Sequence, residues 1–262
     1  MSRGALSSGG APTKTSSRRA ALPLSRPAEF AIVPAMTRPA VLLLSGGLDS
    51  ATCLAIARAE GFDVHALTVN YGQRHSREVE QARQVAKGLA AASHRVVNMD
   101  LRAIGGSSLT SDLAVAKDRR EEEMAGGIPS TYVPARNTIF LGLALGLAEV
   151  VNATDLFLGV NVLDYSGYPD CRPEFVEAFE KLAAIATRAG VEGAKFKLHA
   201  PLLRLTKAQI IQRGIALGVD YGITHSCYDP SADDRACGRC DSCQLRRKGF
   251  REAGVADPTR YA

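Results

Sequence analysis

A chain of 262 residues holds one α/β domain of generous size with a small appendage, and 46% hydrophobic against 23% charged content is that of a soluble globule. No apolar run approaches the length of a membrane span, which excludes a bilayer-crossing segment. Six of the 32 basic residues and one of the 27 acidic residues fall in residues 1–38. The rest carries 26 of each sign, so it is neutral and makes no net electrostatic case for nucleic acid.

Residues 1–38 are rich in Ser, Ala, Pro and Arg and show no sustained period, which predicts a disordered leader. Its near lack of acid is that of an organellar transit peptide, while a charged start without an apolar h-region argues against secretion. Met36 is an alternative start just before the first strand, and the leader is expected to be dispensable. The expected location is cytoplasmic.

Val41 to Leu44 is an apolar run that predicts a strand buried on both faces, and Ala51 to Glu60 predicts a helix. Between them stands Ser45-Gly46-Gly47-Leu48-Asp49-Ser50. A strand feeding straight into a helix aims backbone N–H groups at one point, where the helix dipole favours phosphate oxygens. Gly46 and Gly47 are expected to take positive φ, Ser45 and Ser50 to add hydroxyl bonds, and Asp49 to hold Mg²⁺ or cap the helix. The expected nucleotide contacts run through Leu44, Ser45, Gly46, Gly47, Leu48, Asp49, Ser50, Ala51, Thr52, Cys53 and Leu54, with Cys53 in an apolar packing position. No Gly-Lys-Ser/Thr follows, so this is not a Walker A loop.

The string resembles the loop of the N-type ATP pyrophosphatases, the PP-loop enzymes. That resemblance implies a loop holding the β,γ-pyrophosphate while a substrate oxygen attacks the α-phosphorus, which is adenylation. Amidotransferase-type synthetases and tRNA-modifying enzymes both remain open at this point.

Asp63–Asn70 predicts a second strand, Tyr71–His75 a polar turn, and Arg77–Ala91 a helix capped by Ser76. Val96–Met99 predicts a third strand, and βαβαβ calls for a parallel sheet with its site at the strands' C-terminal edge. His75 falls at that edge and is a possible phosphate or substrate contact. The Gly-, Ser- and charge-rich stretch from Gly105 to Gly127 reads as a solvated helix or loop. Thr138–Val151 predicts an apolar helix with Asn137 as its N-cap, and Arg136 just before it can meet a phosphate. Asp155–Val160 and Lys195–His199 predict two more strands, Pro173 opens a helix, and Thr206 caps Lys207–Leu217. The expected fold is α/β, a Rossmann-like parallel sheet of about five strands with helices on both faces.

Asn161 to Phe175 leaves a strand and enters a helix, dense in polar and aromatic groups. Asp164 or Asp170 could accept hydrogen bonds from paired N–H donors on a ligand's edge, while Tyr165 or Phe175 could stack on a ring. Arg172 is the candidate cation for a substrate carboxylate, with Lys195 or Arg204 as substitutes. Cys171 is expected to be non-catalytic.

Cys227, Cys237, Cys240 and Cys243 bring four thiolates into one knuckle, the arrangement tetrahedral zinc needs. An iron–sulfur cluster is the rival; Gln244-Leu245-Arg246-Arg247 after Cys243 departs from the ferredoxin run. Four sulfurs leave no open position, so the metal is expected to be structural.

Together Ser45–Ser50, Tyr71–His75, Tyr132–Asn137, Asp164–Phe175, Val219–Tyr221, Ser226–Tyr228 through Arg246, and the tail Gly249–Thr259 resemble the 7-cyano-7-deazaguanine synthase family of the queuosine pathway, from about Ala40 to Thr259. The resemblance implies conversion of 7-carboxy-7-deazaguanine, ammonia and ATP to the nitrile. It also implies Mg²⁺ with ATP, one zinc per subunit and a homodimer, with no direct nucleic acid. Ser45, Asp49, Ser50 and Arg172 are the expected catalytic residues. The implied organisation is a leader at 1–38, an ATP-binding α/β domain at 39–220 and a zinc lobe at 221–262. Two other readings are a PP-loop tRNA-modifying enzyme of thiolation or lysidine type and a nucleic-acid-binding zinc module. The module would use Arg235, Arg239, Arg246, Arg247 and Lys248, but few aromatics stand there to stack bases.

Overall fold

The computed structural model describes residues 38–73, 77–163 and 168–262. The leader, His75 with its neighbours Arg74 and Ser76, and the pair Asp164 and Tyr165 lie outside the described residues. Five parallel strands form one sheet: β1 (Arg38–Leu43), β2 (Phe62–Asn70), β3 (Ser93–Asn98), β4 (Asp155–Phe157) and β5 (Lys197–His199). Their order is β3-β2-β1-β4-β5. The chain runs outward from β1 to β3, then returns to the other side of β1. The crevice between β1 and β4 is therefore the switch point where open sheets bind ligands.

Period-two alternation explains why helices cover both faces. Ala40, Leu42 and Leu44 of the first strand and turn join one apolar cluster with Val64 and Ala66. Val41 and Leu43 join the opposite cluster. The first face carries α1 (Leu48–Ala59), α2 (Arg77–Gly88) and α7 (Lys207–Ala216), with α8 (Asp241–Ala253) on α7. The second carries α4 (Arg136–Val150) and α5 (Pro173–Ala186). The short helices α3 (Glu121–Ala125) and α6 (Arg188–Val191) complete the set.

Several boundaries differ from the sequence reading for physical reasons. β4 stops at Phe157, because Gly159 is pressed against the first turn of α1; a Cβ there would lie 3.2 Å from the Asp49 carbonyl. α4 begins at Arg136, so Asn137 is not its N-cap; that place goes to Ala135, held in the left-handed region at φ 54°. Thr206 caps α7 as expected, in a reciprocal box with Gln209.

The stretch from Gly105 to Gly127 is only partly solvated: Glu121–Ala125 is a short helix with its three glutamates exposed, as the composition predicts, but the first half is packed. Ser107, Ser108, Leu109, Thr110 and Val115 are buried, and Leu109 and Val115 share a third apolar cluster with Val69, Cys227, Cys240 and Cys243. Four of its eight charges are ion-paired to the cysteine region: Lys117 with Asp229, Asp118 with Arg239, Arg119 with Asp241 and Glu121 with Lys248. The boundary expected at residue 220 is bridged in the same way. Buried Tyr221 reaches back to the α/β domain, its Oη 2.7 Å from Thr52 Oγ1 and donating to the Ile210 carbonyl at 3.2 Å, and Thr37–Ala262 forms one compact unit.

Candidate active site

A cavity opens at the C-terminal ends of β1, β2 and β4, walled by the Ser45–Ser50 loop, the starts of α2 and α4, and the segment around His225. Its floor is the sheet itself, at Leu43, Leu67, Val69 and Leu158.

The loop is braced by its own hydroxyls. Ser45 and Ser50 Oγ lie 3.0 Å apart, Ser50 Oγ accepts from the Ser45 N–H at 3.2 Å, and Ser45 Oγ accepts from the Gly47 N–H at 3.3 Å. Gly47 is the N-cap of α1 and supplies no side-chain cap, so the helix's first N–H groups are open to an anion. The two glycines serve different ends. Gly46 sits at φ 80°, and a Cβ on it would meet the Glu78 carbonyl and the Ala82 nitrogen of α2 at 2.7 Å. Gly47 does not take positive φ; its value is −83°.

Of the expected nucleotide contacts, Leu44, Ser45, Gly47, Leu48, Asp49 and Ser50 line the cavity. Gly46 instead lets α2 approach. Ala51, Thr52, Cys53 and Leu54 are buried in the core behind the loop. Thr52 spends its hydroxyl on Tyr221 Oη at 2.7 Å, and burial raises the Cys53 thiol far above its ordinary value. Asp49 does not stand open to a metal. Lys207 Nζ donates to its two oxygens at 2.7 and 2.9 Å. The Lys207 stem is in turn backed by Gly249 of α8, where a Cβ would lie 2.3 Å from Lys207 Cγ.

Arg136 enters the cavity from the start of α4, immediately after the left-handed Ala135. Left-handed alanine costs roughly 1–2 kcal/mol, a strain of the kind that persists where it aims a functional group. Burial works against the guanidinium, but the Tyr71 and Tyr168 phenols beside it hold its pKa up. Tyr71 is pushed up to about 12 by burial and then by Glu78. Glu78, second residue of α2, is pushed up to about 7 by burial, against the pull of Arg136 and a hydrogen bond from Gln73.

Other candidates fall elsewhere. Asp170 is buried and does not line the cavity; its carboxylate accepts the Asn137 N–H at 3.0 Å and so fixes the start of α4. Arg172 is exposed as the N-cap of α5, away from the cavity wall. Phe175 packs on Phe179 with ring centroids 6.4 Å apart. Lys195 is exposed before β5, at the N-terminal edge of the sheet and thus the wrong edge, and Arg204 is exposed. Cys171 lines the cavity with its thiol raised to about 12 by burial, so it holds its proton. Sequence reasoning missed Glu78, Lys207, Tyr168, Tyr228 and His225. Glu78 looks like any acid in a helix's first turn; Lys207, one residue past a strong cap, carried the better signal.

The four cysteine sulfurs all lie within 4.8 Å of one another. Cys237 N–H donates to Cys227 Sγ at 3.2 Å, and the N–H groups of Arg239 and Cys240 donate to Cys237 Sγ at 3.4 and 3.3 Å. The Cys240 thiol is pulled well below its ordinary value by hydrogen bonds from Cys227 and Cys243. Such backbone donors suit sulfurs that carry thiolate charge on a metal.

The family model described as queuosine biosynthesis protein QueC matches residues 39–254. The chain is 66% identical over 226 residues to 7-cyano-7-deazaguanine synthase of Myxococcus xanthus (strain DK1622), covering 86% of this chain and 98% of that one. It is 65% identical over 227 residues to the synthase of Geobacter sulfurreducens, covering 86% and 94%. Among solved structures, NMN synthetase from Francisella tularensis is similar at a TM-score of 0.45 and 18% identity, over 84% of this chain and 79% of that chain.

Proposed function

The chain belongs to the queuosine biosynthesis protein QueC family, and from that premise we infer how its cavity carries out the chemistry. It is an enzyme of 7-cyano-7-deazaguanine synthesis, converting 7-carboxy-7-deazaguanine and ammonia to the nitrile with ATP. The observation that carries the route is the α1 N-terminus, left without a side-chain cap beside two serine hydroxyls at the cavity wall. That arrangement suits a pyrophosphate group.

A carboxylate is a poor acyl donor until its oxygen is joined to phosphorus. Ser45, Ser50 and the loop N–H groups hold the β,γ-phosphates while the substrate carboxylate attacks the α-phosphorus and pyrophosphate leaves. Ammonia displaces AMP to give the amide. Activating the amide oxygen the same way lets it depart as a second AMP and leaves the nitrile. Arg136 pairs with the substrate carboxylate before activation, replacing the exposed Arg172 in that role. Asp164 and Tyr165 keep their proposed roles at the base edge and ring.

The cysteines fit zinc. A Zn–S bond of about 2.3 Å places tetrahedral sulfurs about 3.8 Å apart, within the observed spread. Cys227, Cys237, Cys240 and Cys243 would hold it as a structural ion. Asp49 does not fit Mg²⁺ while Lys207 takes both its oxygens, and no step depends on that metal at Asp49. The partners are small molecules, with a homodimer and a cytoplasmic location as part of the proposal; no described helix is long and apolar enough to cross a membrane.

The test is to incubate the protein with the acid, Mg-ATP and ammonium and follow products by mass. Nitrile with AMP is expected. ADP in place of AMP would overturn the adenylation route, and no turnover of acid or amide would return the chain to the wider class of loop-bearing ATP enzymes.

A further inference from the structure

The proposed reaction makes an unusual demand on one atom. Ammonium arrives with four N–H bonds and the nitrile nitrogen keeps none, so the nitrogen must shed every proton inside the cavity. One leaves before attack and one on amide formation. The third leaves when the amide oxygen is activated, and the fourth when the C≡N bond forms. A fixed acceptor that titrates near neutral pH answers that demand, because it can take a proton and return it to solvent between steps.

We propose that Glu78 is this proton acceptor; the assignment rests on the synthase reading above. Glu78 lines the same cavity as the Ser45–Ser50 loop. Its helix is locked against that loop, since only the missing Cβ of Gly46 lets the Glu78 carbonyl come so near. The carboxylate is also aimed. Tyr71 N–H donates to Gln73 Oε1 at 2.8 Å, which turns the Gln73 amide so that its Nε2 donates to Glu78 Oε2 at 3.3 Å. Only that oxygen is engaged by Gln73. Arg136 enters beside it and offsets the charge of the ionised form.

Asp49, Tyr71 and Cys171, which also line the cavity, are ill-placed for this work. Both Asp49 oxygens are taken by Lys207. Tyr71 and Cys171 are each pushed up to about 12 and hold their protons. Burial instead places Glu78 near 7, where it is a stronger base than an ordinary carboxylate and still empties at neutral pH.

The step balances without any further reagent. The Glu78 carboxylate takes a proton from ammonium, and the freed lone pair forms the C–N bond at the activated acyl carbon. The bond from that carbon to the AMP oxygen breaks, AMP leaves with the electron pair, and a second proton passes from the new amide nitrogen to Glu78, which has returned the first to solvent. In the second stage a proton passes from nitrogen to Glu78 as the amide oxygen attacks the α-phosphorus of a second ATP and the bond from that phosphorus to the leaving pyrophosphate breaks. The last passes as the C–O bond breaks and AMP departs.

The deciding experiment compares nucleophiles in wild type, Glu78→Gln and Glu78→Asp. Hydroxylamine is unprotonated at neutral pH and needs no base before it attacks, whereas ammonium does. Glu78→Gln should keep its melting profile and its acid-dependent release of pyrophosphate, and lose amide formation from ammonium by roughly 100-fold or more. Hydroxylamine should restore hydroxamate formation to within about tenfold of wild type, and Glu78→Asp should recover part of the ammonium rate. Equal rates with ammonium in wild type and Glu78→Gln would overturn the assignment. So would a loss as deep with hydroxylamine as with ammonium, or a loss of pyrophosphate release, which would make Glu78 a binding or structural residue. A wild-type protein silent toward the acid and ATP would overturn the synthase reading and this assignment with it.

Discussion

The nucleotide loop and the cysteine cluster are built on opposite principles. The loop is held by near neighbours in sequence: Ser45 and Ser50, five residues apart, brace each other, and Gly47 starts the helix proposed to bind the anion. The cysteine cluster is held by strangers. Arg119 reaches Asp241 across 122 residues and Lys248 reaches Glu121 across 127. A local device folds wherever a strand meets a helix, but it can only present what its own few residues carry. A long-range device needs the whole chain in place. It can hold segments the sheet does not extend to, here the 105–127 stretch packed against Val69 and the cysteines. Lys207 joins the two, with its ammonium on Asp49 and its stem under Gly249 of α8.

The largest expected effect separates the two regions by removing the metal. A structural zinc in a Cys₄ site contributes on the order of 10 kcal/mol to the folding it is coupled to. Cys240→Ser, or a strong chelator, should therefore unfold the cysteine region and the 105–127 stretch while leaving the sheet and α1 folded. Hydrogen exchange is the measurement. Residues 107–120 and 227–245 should lose protection, and residues 41–57 should keep theirs. Uniform loss across all of these would show that the regions do not fold separately, and no loss anywhere would remove the metal from the account.

The same division explains what could be read from the sequence. The loop, the strands β1 and β2, the Thr206 cap and the four cysteines are patterns over a few residues and stand within a few residues of their expected places, and β3 begins three residues before the expected Val96, at Ser93. The α4 start and the pairing of Asp118, Arg119 and Glu121 are not readable, because each depends on a partner distant in sequence. Gly47's φ of −83°, by contrast, is the ordinary extended value of an N-cap residue. Asn137 looks like a cap from its own residue type; Asp170, from 33 residues on, takes that work. Arg172 was favoured as the cation because it lies among polar and aromatic neighbours in sequence. The cavity is reached instead by Arg136, from another helix. Glu78 acquires its chemistry only from burial, which no local pattern records.

A middle-sized effect tests how the loop itself is divided. Gly46→Ala must accept φ 80° and push a Cβ into the α2 backbone, where the nearest atoms are 2.7 Å away and cannot swing aside. The expected cost is about 2–4 kcal/mol with a large loss of ATP affinity. Gly47→Ala keeps an ordinary φ of −83° and meets its nearest neighbours at 3.3 and 3.4 Å. Its cost to stability should stay under about 1 kcal/mol. Urea unfolding with ATP titration distinguishes the pair, and equal damage from the two changes would sink the idea that Gly46 serves α2 while Gly47 serves the anion.

The smallest effect lies within the long-range region, where two ion pairs stand one residue apart and should differ. Arg119 and Asp241 are mostly buried side chains, 21% and 9% exposed, joined at 2.7 Å. Asp241 Oδ1 is buried with no other partner, and burial already lifts its pKa against the pull of Arg119. Arg119→Ala strands a carboxylate out of water and should cost about 1–3 kcal/mol. Because a raised carboxylate pKa makes the folded state stabler in acid, that cost should shrink as pH falls through the Asp241 titration. Asp118 and Arg239 are more than half exposed, 55% and 62%, and water screens such a pair and competes for its groups. Asp118 also sits at φ 56°, a conformation asparagine accepts readily, so Asp118→Asn changes the charge without adding backbone strain. No shift in the urea midpoint is expected from Asp118→Asn at any salt concentration, against a clear one from Arg119→Ala. A larger loss from Asp118→Asn would mean that exposed charges, rather than the buried pair, hold the 105–127 stretch to the cysteines.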